Sequence, residues 1–339
     1  MENDTLTAIA GIKVGHYTDT DGITGCTAIL CPGGAVAGVD IRGTAAGTRQ
    51  VDALSPLHLV PVIHGVCLSG GSAYGLEAGG GVMRYLEDHG VGLRVGVALV
   101  PIVPTAVLFD LGVGKPGVRP AMSAGYSAAA AATAAPVVQG SVGAGTGATV
   151  GKVLGIAHAT KGGVGSAAVA RGELVVAALA AVNAYGDVVR ESGLQARIIA
   201  GTRATPAGSE MAGSERLLSL GGVQAGPSSQ LALPGPTPPV TPEQAFQHTT
   251  LVVLATNALL TKAEATKIAQ LGQVGVARSL SPAHTLYDGD VVFALSTGTL
   301  AAPLNQVGVL AIEAVLAAVA RGVERAVGLG GVPAMAELR

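Results

Sequence analysis

The chain has 339 residues, of which 49% are hydrophobic and only 12% charged, and it contains no Trp. A formal net charge of −2 and a pI of about 6.4 leave no basic surface for nucleic acid or anionic lipid, so neither a nucleic acid nor a membrane is an expected partner. With so few charges to cover the surface, a core of Ala, Val, Leu and Gly predicts a homo-oligomer that shares its apolar area.

The opening MENDTLTAIAGIKVG carries two acids and no basic segment followed by an apolar stretch. It does not resemble a signal peptide, and the expected compartment is the cytoplasm. The apolar run at 96–109 contains two prolines and is too short to span a bilayer, so it predicts buried strand and loop. Three unpaired cysteines and seven scattered histidines give no metal-binding spacing, so we expect free thiols, no metal and no cofactor.

The first half of the chain predicts two strands and two helices, at residues 27–40, 61–68, 73–88 and 122–135. Ser72 is placed to cap the first of these helices. Three consecutive glycines at 79–81 weaken that helix and indicate that another backbone packs closely against it. Residues 140–165 are rich in glycine and predict a loop that leads into strands at 174–181 and 187–190.

Composition changes between residues 201 and 242, where Gly, Ser, Thr and Pro dominate and five prolines lie between 234 and 242. A stretch of this length without periodicity is typical of a functional or flexible connection. We therefore predict a flexible linker over 202–241, followed closely by a maturation site.

A compact pattern follows the linker. It consists of an apolar strand at 250–256, a helix opened by the capping box of Thr261 and Glu264, a strand at 290–296 and a final helix at 304–326. Uniformly apolar strands need cover on both faces, so helices are expected on the outside of stacked sheets.

Glycine-rich segments suggest nucleotide binding, but none of them matches a nucleotide-binding motif. A phosphate loop of the form GxxxxGK[ST] would need Gly where Thr146 stands and Ser or Thr where Val153 stands. A dinucleotide fingerprint finds Ala148 in its third glycine position and no acidic ribose ligand about 20 residues further on. The serine elbow GxSxG fails at Tyr74, which occupies the second glycine position after Ser72.

A set of polar residues stands in otherwise apolar surroundings. Each has an ordinary structural interpretation, as the polar start of a strand, a turn residue or a half-buried side chain. The set comprises Tyr74, Lys152, Asn183, Thr249, Thr250, Asp288 and Asp290.

Six segments in order along nearly the whole chain resemble the DmpA-like peptidases, which include L-aminopeptidase/D-esterases, β-aminopeptidases and nylon-oligomer hydrolases. The segments are GGSAYGLEAGGG (70–81), GAGTGATVGK (143–152), KGGVGSA (161–167), VNAYGDVV (182–189), HTTLVVLATNALLTKAEATKIA (248–269) and HTLYDGDVVFALSTG (284–298).

The resemblance implies an α+β fold, a four-layer αββα sandwich of the N-terminal-nucleophile type, in one domain over 1–339. It implies an inactive precursor that cuts itself into 1–248 (the α subunit) and 249–339 (the β subunit), which stay together and assemble into homo-oligomers, here expected to be tetramers. Thr249 is then the nucleophile, and Thr250 is the weaker alternative. His248 stands where Asn or Gly is expected, which puts the speed of self-cleavage in question.

The resemblance also implies the chemical roles. The freed α-amine of Thr249, with a reference pKa of roughly 7.7–8.0, serves as the base. The charge of Lys152 lowers that pKa. Tyr74 and Asn183 donate to the oxyanion. A further pair, Asp288 and Asp290, orients the nucleophile and shares a proton.

The expected activity is hydrolysis of amide bonds in short amino-terminal peptides, amino-acid amides or esters, or linear aminoalkanoate oligomers of the nylon type. The sequence does not select among L-peptides, β-peptides, D-amides and nylon oligomers. The alternative is a catalytically impaired oligomeric binding protein of the same fold, for which His248 is the supporting feature.

Overall fold

A computed structural model describes residues 3–190, 196–220 and 248–338. In chain order the strands are β1 (Lys13–Asp19), β2 (Thr24–Ile41), β3 (Gly47–Arg49), β4 (Ile63–Ser69), β5 (Leu93–Val95), β6 (Ala98–Val100), β7 (Thr105–Val107), β8 (Thr149–Val150), β9 (Thr160–Lys161), β10 (Gly163–Arg171), β11 (Leu174–Asn183), β12 (Asp187–Arg190), β13 (Arg197–Ala200), β14 (Thr249–Ala258), β15 (Leu280–Ser281) and β16 (Val291–Leu300). The α-helices of the described residues are α1 (Ala78–Asp88), α2 (Met122–Ala130), α3 (Ser214–Ser219), α4 (Lys262–Ser279) and α5 (Leu304–Glu324).

The long strand β2 belongs to two sheet layers. Its first half pairs with β1 and β4, and its second half pairs with β16, with a break in register between Leu30 and Ala35. The resulting strand order is β10-β11-β14-β16-β2-β4-β7-β3, with β1 on the side of β2. One strand thus carries the chain from one layer of the sandwich to the other.

Side-chain alternation along the strands builds three cores. In β11, Val176, Ala178 and Ala180 face α4 and α5, whereas Ala177 and Leu179 face the other sheet layer. A third core lies between β2, β4 and the helices α1 and α2. The layers therefore run helix, sheet, sheet, helix, which confirms the predicted αββα sandwich.

The glycines at 79–81 do allow the close packing that the sequence predicts. A Cβ on Gly81 would lie 1.8 Å from the carbonyl oxygen of Met122, and one on Gly125 would lie 1.8 Å from that of Ala78. Helices α1 and α2 therefore cross at backbone distance, which only residues without a side chain permit.

Several predicted boundaries differ from the structure. Ser72 does not cap a helix with its side chain: it is the first residue of a 3-10 turn, Ser72–Glu77, that precedes α1. The glycine-rich stretch at 140–165 ends inside β10, which the sequence did not predict as a strand. The helix predicted at 122–135 ends at Ala130, and the C-cap of α2 is Ala131.

The first part of the predicted linker has a defined structure. Buried Asp187 accepts hydrogen bonds from the backbone N–H groups of Thr202 (2.8 Å) and Ser214 (2.6 Å), which fixes the chain as far as α3. Residues 221–241 of that prediction lie outside the described residues.

Helix α5 is long and apolar enough, by length and composition, to cross a membrane. It packs against β10, β11 and α4, and 56% of its most apolar stretch is buried inside the sandwich. In the part of the chain that the structure describes, α5 belongs to the outer helix layer and buries its apolar side chains against the sheet.

Candidate active site

Strand pairing brings the sequence-predicted residues together. Asn183 is the last residue of β11 and lies opposite Thr249, the first residue of β14. On its other side β14 runs parallel to β16, and an isolated parallel bridge joins His248 to Asp288. The start of β14 is therefore flanked by the amide on one side and by the two carboxylates on the other.

The peptide bond between His248 and Thr249 is held in a defined geometry. The Thr249 Oγ hydroxyl donates to the His248 carbonyl oxygen at 2.5 Å, and the backbone N–H of Gly289 donates to the same oxygen at 3.0 Å. Both residues are buried, with Thr249 only 3% exposed. A nucleophile and a carbonyl-polarising donor thus meet at one bond, away from solvent.

Gly289 can supply that donor because it lacks a side chain. A Cβ at this position would lie 2.5 Å from the backbone nitrogen of Ala46 and 2.6 Å from the carbonyl oxygen of Ala45. The neighbouring segment also holds Asp288, whose carbonyl oxygen accepts from the N–H groups of Thr44 and Ala45. The position of Gly289 is therefore fixed by backbone contacts with residues 44–46.

Lys152 is buried beside Asn183. Its Nζ donates to the Asn183 Oδ1 at 2.9 Å and to the Asn183 carbonyl at 3.2 Å, while Thr149 N–H donates to the same Oδ1 at 3.0 Å. Burial lowers the pKa of the Lys152 ammonium to about 7, against the opposing effect of nearby Asp288. With its oxygen engaged in this way, the Asn183 amide presents its Nδ2 as a donor, and one hydrogen bond goes to Phe109 O at 3.1 Å.

The two carboxylates have separate sets of donors. Asp290 accepts from Thr250 N–H at 2.7 Å and pairs with His284 Nδ1 at 2.9 Å. Asp288 accepts from the N–H of Thr285 at 3.0 Å and from its hydroxyl at 2.6 Å. Burial, followed by the charge of Asp290, raises the pKa of Asp288 to about 6. The Asp290 carboxylate thus holds the backbone just after Thr249, whereas the Asp288 carboxylate holds the segment at Thr285.

No hydrogen bond joins Tyr74 to this cluster among the described residues. The Tyr74 side chain is 59% exposed, and the Arg119 guanidinium stacks 3.6 Å above the ring. Within residues 3–190, 196–220 and 248–338 it forms no hydrogen bond with Thr249, Asn183 or Lys152. The predicted oxyanion role of Tyr74 therefore remains a prediction.

Sequence reasoning missed two buried charged residues behind the cluster. Lys161 is fully buried and donates to the carbonyl oxygens of Thr146 (2.9 Å) and Ala148 (2.6 Å). Burial lowers its pKa to about 7. Asp110, whose pKa burial raises to about 6, accepts from Gly71 N–H at 2.7 Å. The signal for Lys161 was its place at the head of the segment KGGVGSA, but charge alone does not indicate which carbonyls it meets.

His248 packs against aromatic rings. Its imidazole centroid lies 4.7 Å from that of Tyr185, which in turn lies 5.0 Å from the ring of Tyr287. Burial lowers the pKa of His248 well below its usual value, and the charge of Lys152 acts in the same direction. The His248 side chain is therefore a neutral ring within an aromatic cluster.

Surface grooves lie elsewhere. One of about 490 Å³ is lined by α5 and by residues such as Val189 and Arg278, and one of about 440 Å³ lies at Gly328–Pro333. Neither is lined by Thr249 or by its partners in the cluster, and Thr249 is buried in the described structure.

Comparison with known proteins gives a consistent result. The model of peptidase family S58 matches residues 4–335. An uncharacterized aminopeptidase of Mycobacterium tuberculosis is 38% identical over 97% of this chain and 96% of its own length. A 6-aminohexanoate-oligomer endohydrolase of Paenarthrobacter ureafaciens is 30% identical over 86% of this chain and 75% of its own length.

A solved structure shows the same architecture. The L-aminopeptidase D-Ala-esterase/amidase of Ochrobactrum anthropi, a variant of the Ntn hydrolase fold, superposes with a TM-score of 0.67 over 95% of this chain and 86% of its own. The identity of 19% limits this likeness to the fold.

Proposed function

Since this chain belongs to peptidase family S58 and is a hydrolase of peptide or amide bonds, we propose that it is a precursor that cuts itself between His248 and Thr249 and then uses Thr249 as its nucleophile. The fragments are residues 1–248 and 249–339. One observation carries the proposal: the Thr249 hydroxyl and the Gly289 N–H both contact the His248 carbonyl, at 2.5 and 3.0 Å.

The self-cleavage is an N-to-O acyl shift followed by hydrolysis. Thr249 Oγ bonds to the His248 carbonyl carbon, the C–N bond to Thr249 breaks, and the hydroxyl proton passes to the leaving nitrogen. Gly289 N–H stabilises the negative charge that forms on the carbonyl oxygen. Water then cleaves the ester, which releases the His248 carboxylate and restores the Thr249 hydroxyl beside a free α-amine.

In turnover the α-amine of Thr249 takes the hydroxyl proton and later returns it to the leaving amine of the substrate. Lys152 places a titratable ammonium beside it, while Asn183 Nδ2 and Tyr74 supply oxyanion donors. Asp288 and Asp290 hold the strand ends that carry Thr249. Each role is supported by the residue's position next to the start of β14, except that of Tyr74, which rests on resemblance.

The substrate class follows the relatives. An amino-terminal peptide, an amino-acid amide or ester, or a 6-aminohexanoate oligomer is the proposed substrate, in keeping with relatives named aminopeptidase and 6-aminohexanoate-oligomer endohydrolase.

The proposed assembly is a cytoplasmic homotetramer of cut units. Almost fully exposed apolar side chains at Leu57, Leu59 and Val97 support a shared surface. Light scattering on the purified protein measures the mass, and a monodisperse single unit would contradict the tetramer.

The test of the cut is the intact mass and the amino-terminal sequence of the purified protein under denaturing conditions. Two fragments, the smaller beginning at Thr249, are expected. A covalent inhibitor of threonine nucleophiles should add its mass to the smaller fragment alone. A fragment beginning at Thr250, or a chain that stays whole after long incubation, would contradict the assignment.

A further inference from the structure

In the proposed self-cleavage, His248 supplies the first acyl group that is transferred to Thr249 Oγ. This inference rests on the proposed self-cleavage. In the N-to-O shift, the carbonyl carbon of His248 becomes bonded to Thr249 Oγ, and the leaving group is the nitrogen of Thr249. In turnover, the carbonyl carbon of the substrate becomes bonded to the same oxygen, and the leaving group is the amine of the substrate. The two esters share the bond to Thr249 Oγ and differ in the acyl group, so the side chain of His248 marks where that of a substrate's acyl residue can lie.

Among the described residues, the His248 side chain packs against the ring of Tyr185. Its Nδ1 is buried and has no hydrogen-bond partner among the described residues, and the residue is 4% exposed. The ring lies at 4.7 Å and an angle of 49° to Tyr185. The surroundings therefore accept a flat, neutral ring and offer its Nδ1 no polar contact.

Tyr185 follows β11 and Tyr287 precedes β16, the two strands that flank β14. Tyr185 follows Asn183 by two residues; its N–H donates to Asp288 Oδ1 at 3.3 Å and its carbonyl accepts from Lys152 N–H at 2.9 Å. Tyr287 immediately precedes Asp288. Burial raises the pKa of Tyr185 to about 12, so its ring stays neutral over the working pH range. Because the same residues position Thr249 and these rings, the rings keep their place when the bond is cut.

We propose that Tyr185 and Tyr287 form the acyl-side subsite of the mature enzyme, and that it prefers amides and esters whose acyl residue carries a flat aromatic or heteroaromatic side chain. Once the cut frees His248 from Thr249, the face of Tyr185 that the imidazole covered is available to such a ring. Offset and edge-on ring pairs favour this arrangement over contact with an aliphatic side chain of similar size.

The substrate test uses the mature protein and p-nitroanilides of phenylalanine, histidine, leucine, alanine and aspartate. Phenylalanine and histidine anilides are expected to give the highest kcat/KM. Tyr185→Ala should reduce the phenylalanine-to-alanine ratio about tenfold, the upper range of a ring pair. The matched control is Tyr126→Ala, because Tyr126 packs edge-on to Tyr85 in the opposite helix layer and should leave the ratio unchanged.

The second test keeps the reaction within the chain. His248→Phe should cut itself at a rate near that of the native chain, whereas His248→Asp should cut at least tenfold more slowly because its charge enters the ring cluster. The rank order of cutting rates should match the rank order of anilides. If Tyr185→Ala fails to cut, the wild-type anilide ranking and the His248 series decide the question without it.

The outcomes separate the inference from its premise. Hydrolysis that favours alanine or aspartate anilides, with a ratio unmoved by Tyr185→Ala, overturns the subsite and leaves the Thr249 mechanism intact. A protein that hydrolyses none of the amides and takes no label on Thr249 overturns the proposed function itself.

Discussion

Adjacent threonines differ in what surrounds their hydroxyls. The Thr249 Oγ contacts the His248 carbonyl oxygen, whereas the Thr250 Oγ is buried with no hydrogen-bond partner among the described residues. Thr249→Ala should therefore remain a single folded chain without hydrolytic activity, as a denaturing gel and an anilide assay on one preparation would show. A Thr249→Ala protein that hydrolyses substrate would overturn the mechanism.

Thr250→Val is the matched control. It keeps the shape of the side chain and removes only the unpaired hydroxyl, whose burial costs about 1–3 kcal/mol. The variant should cut at the native rate, and its free energy of unfolding should equal or exceed that of the native chain in urea titrations. Loss of self-cleavage here would move the nucleophile to Thr250.

Substitution of Asn183 should slow turnover and still permit self-cleavage. Its Oδ1 is held by Lys152 and by Thr149, so its Nδ2 is oriented to donate. Asn183→Ala should lower kcat by about 10²–10³, the typical cost of one oxyanion donor, while slow self-cleavage continues over hours. Single-turnover kinetics on the cut variant measures the first effect and gel time courses the second. A kcat within threefold of the native value would remove Asn183 from the oxyanion site.

At the scale of elements, the segment between α4 and β16 contains Gly289, whose N–H donates to the His248 carbonyl oxygen. Gly289→Ala would place a Cβ 2.5 Å from Ala46 N, so the segment must shift and the Gly289 N–H must leave the His248 oxygen. Self-cleavage should slow by at least tenfold in gel time courses. Gly33→Ala, which meets nothing within 4 Å, is the control and should cut normally.

Lys161 links the glycine-rich loop to the core and should make stability depend on pH. Its pKa is about 7 in the folded chain and returns to its ordinary, higher value on unfolding. Between these values the unfolded chain binds more protons, so the free energy of unfolding rises with pH. In the Thr249→Ala background, Lys161→Met should reduce that slope by up to about 1.4 kcal/mol per pH unit above pH 7. Urea titrations at pH 7.5, 8.5 and 9.5 measure it, with exposed Lys267→Met as a control that leaves the slope unchanged.

Local patterns predicted the elements that carry their own signal. The capping box of Thr261 and Glu264 begins α4 as expected, and the strand at 187–190 is confirmed residue by residue. By contrast, the boundary of the linker depended on the carboxylate of Asp187, which reaches residues 15 and 27 positions further along the chain. Contacts at that separation leave no periodicity in the sequence.

The candidate site also contains residues that the sequence predicted and features that it did not. Residue types and the family resemblance predicted Lys152, Asn183 and Asp288, and the structure places them at the start of β14. The Gly289 donor is a backbone group, so no side-chain pattern could reveal it. The exposed setting of Tyr74 likewise follows from tertiary packing beside Arg119.

At the scale of the whole molecule, the two expected fragments interlock. β14 lies between β11 of the first fragment and β16, and β16 pairs in turn with β2 of the first fragment. Cutting before β14 removes one peptide bond and none of these ladders. The fragments should therefore co-elute in native size-exclusion chromatography and separate in urea; Thr249→Ala supplies the uncut reference. Separate native peaks would contradict this.

The pairing of β16 with β2, the strand shared between the layers, has a further consequence for refolding. Under the proposed self-cleavage, the precursor folds as one molecule but the cut protein must bring two polypeptides together, so its recovery after denaturation should be second order and should fall on dilution. At low concentration, a cut molecule that unfolds is therefore expected not to regain the mature state. If the proposed cut takes place, the lifetime of the mature protein is set by its unfolding rate rather than by a folding equilibrium, because the precursor that folds as one chain no longer exists.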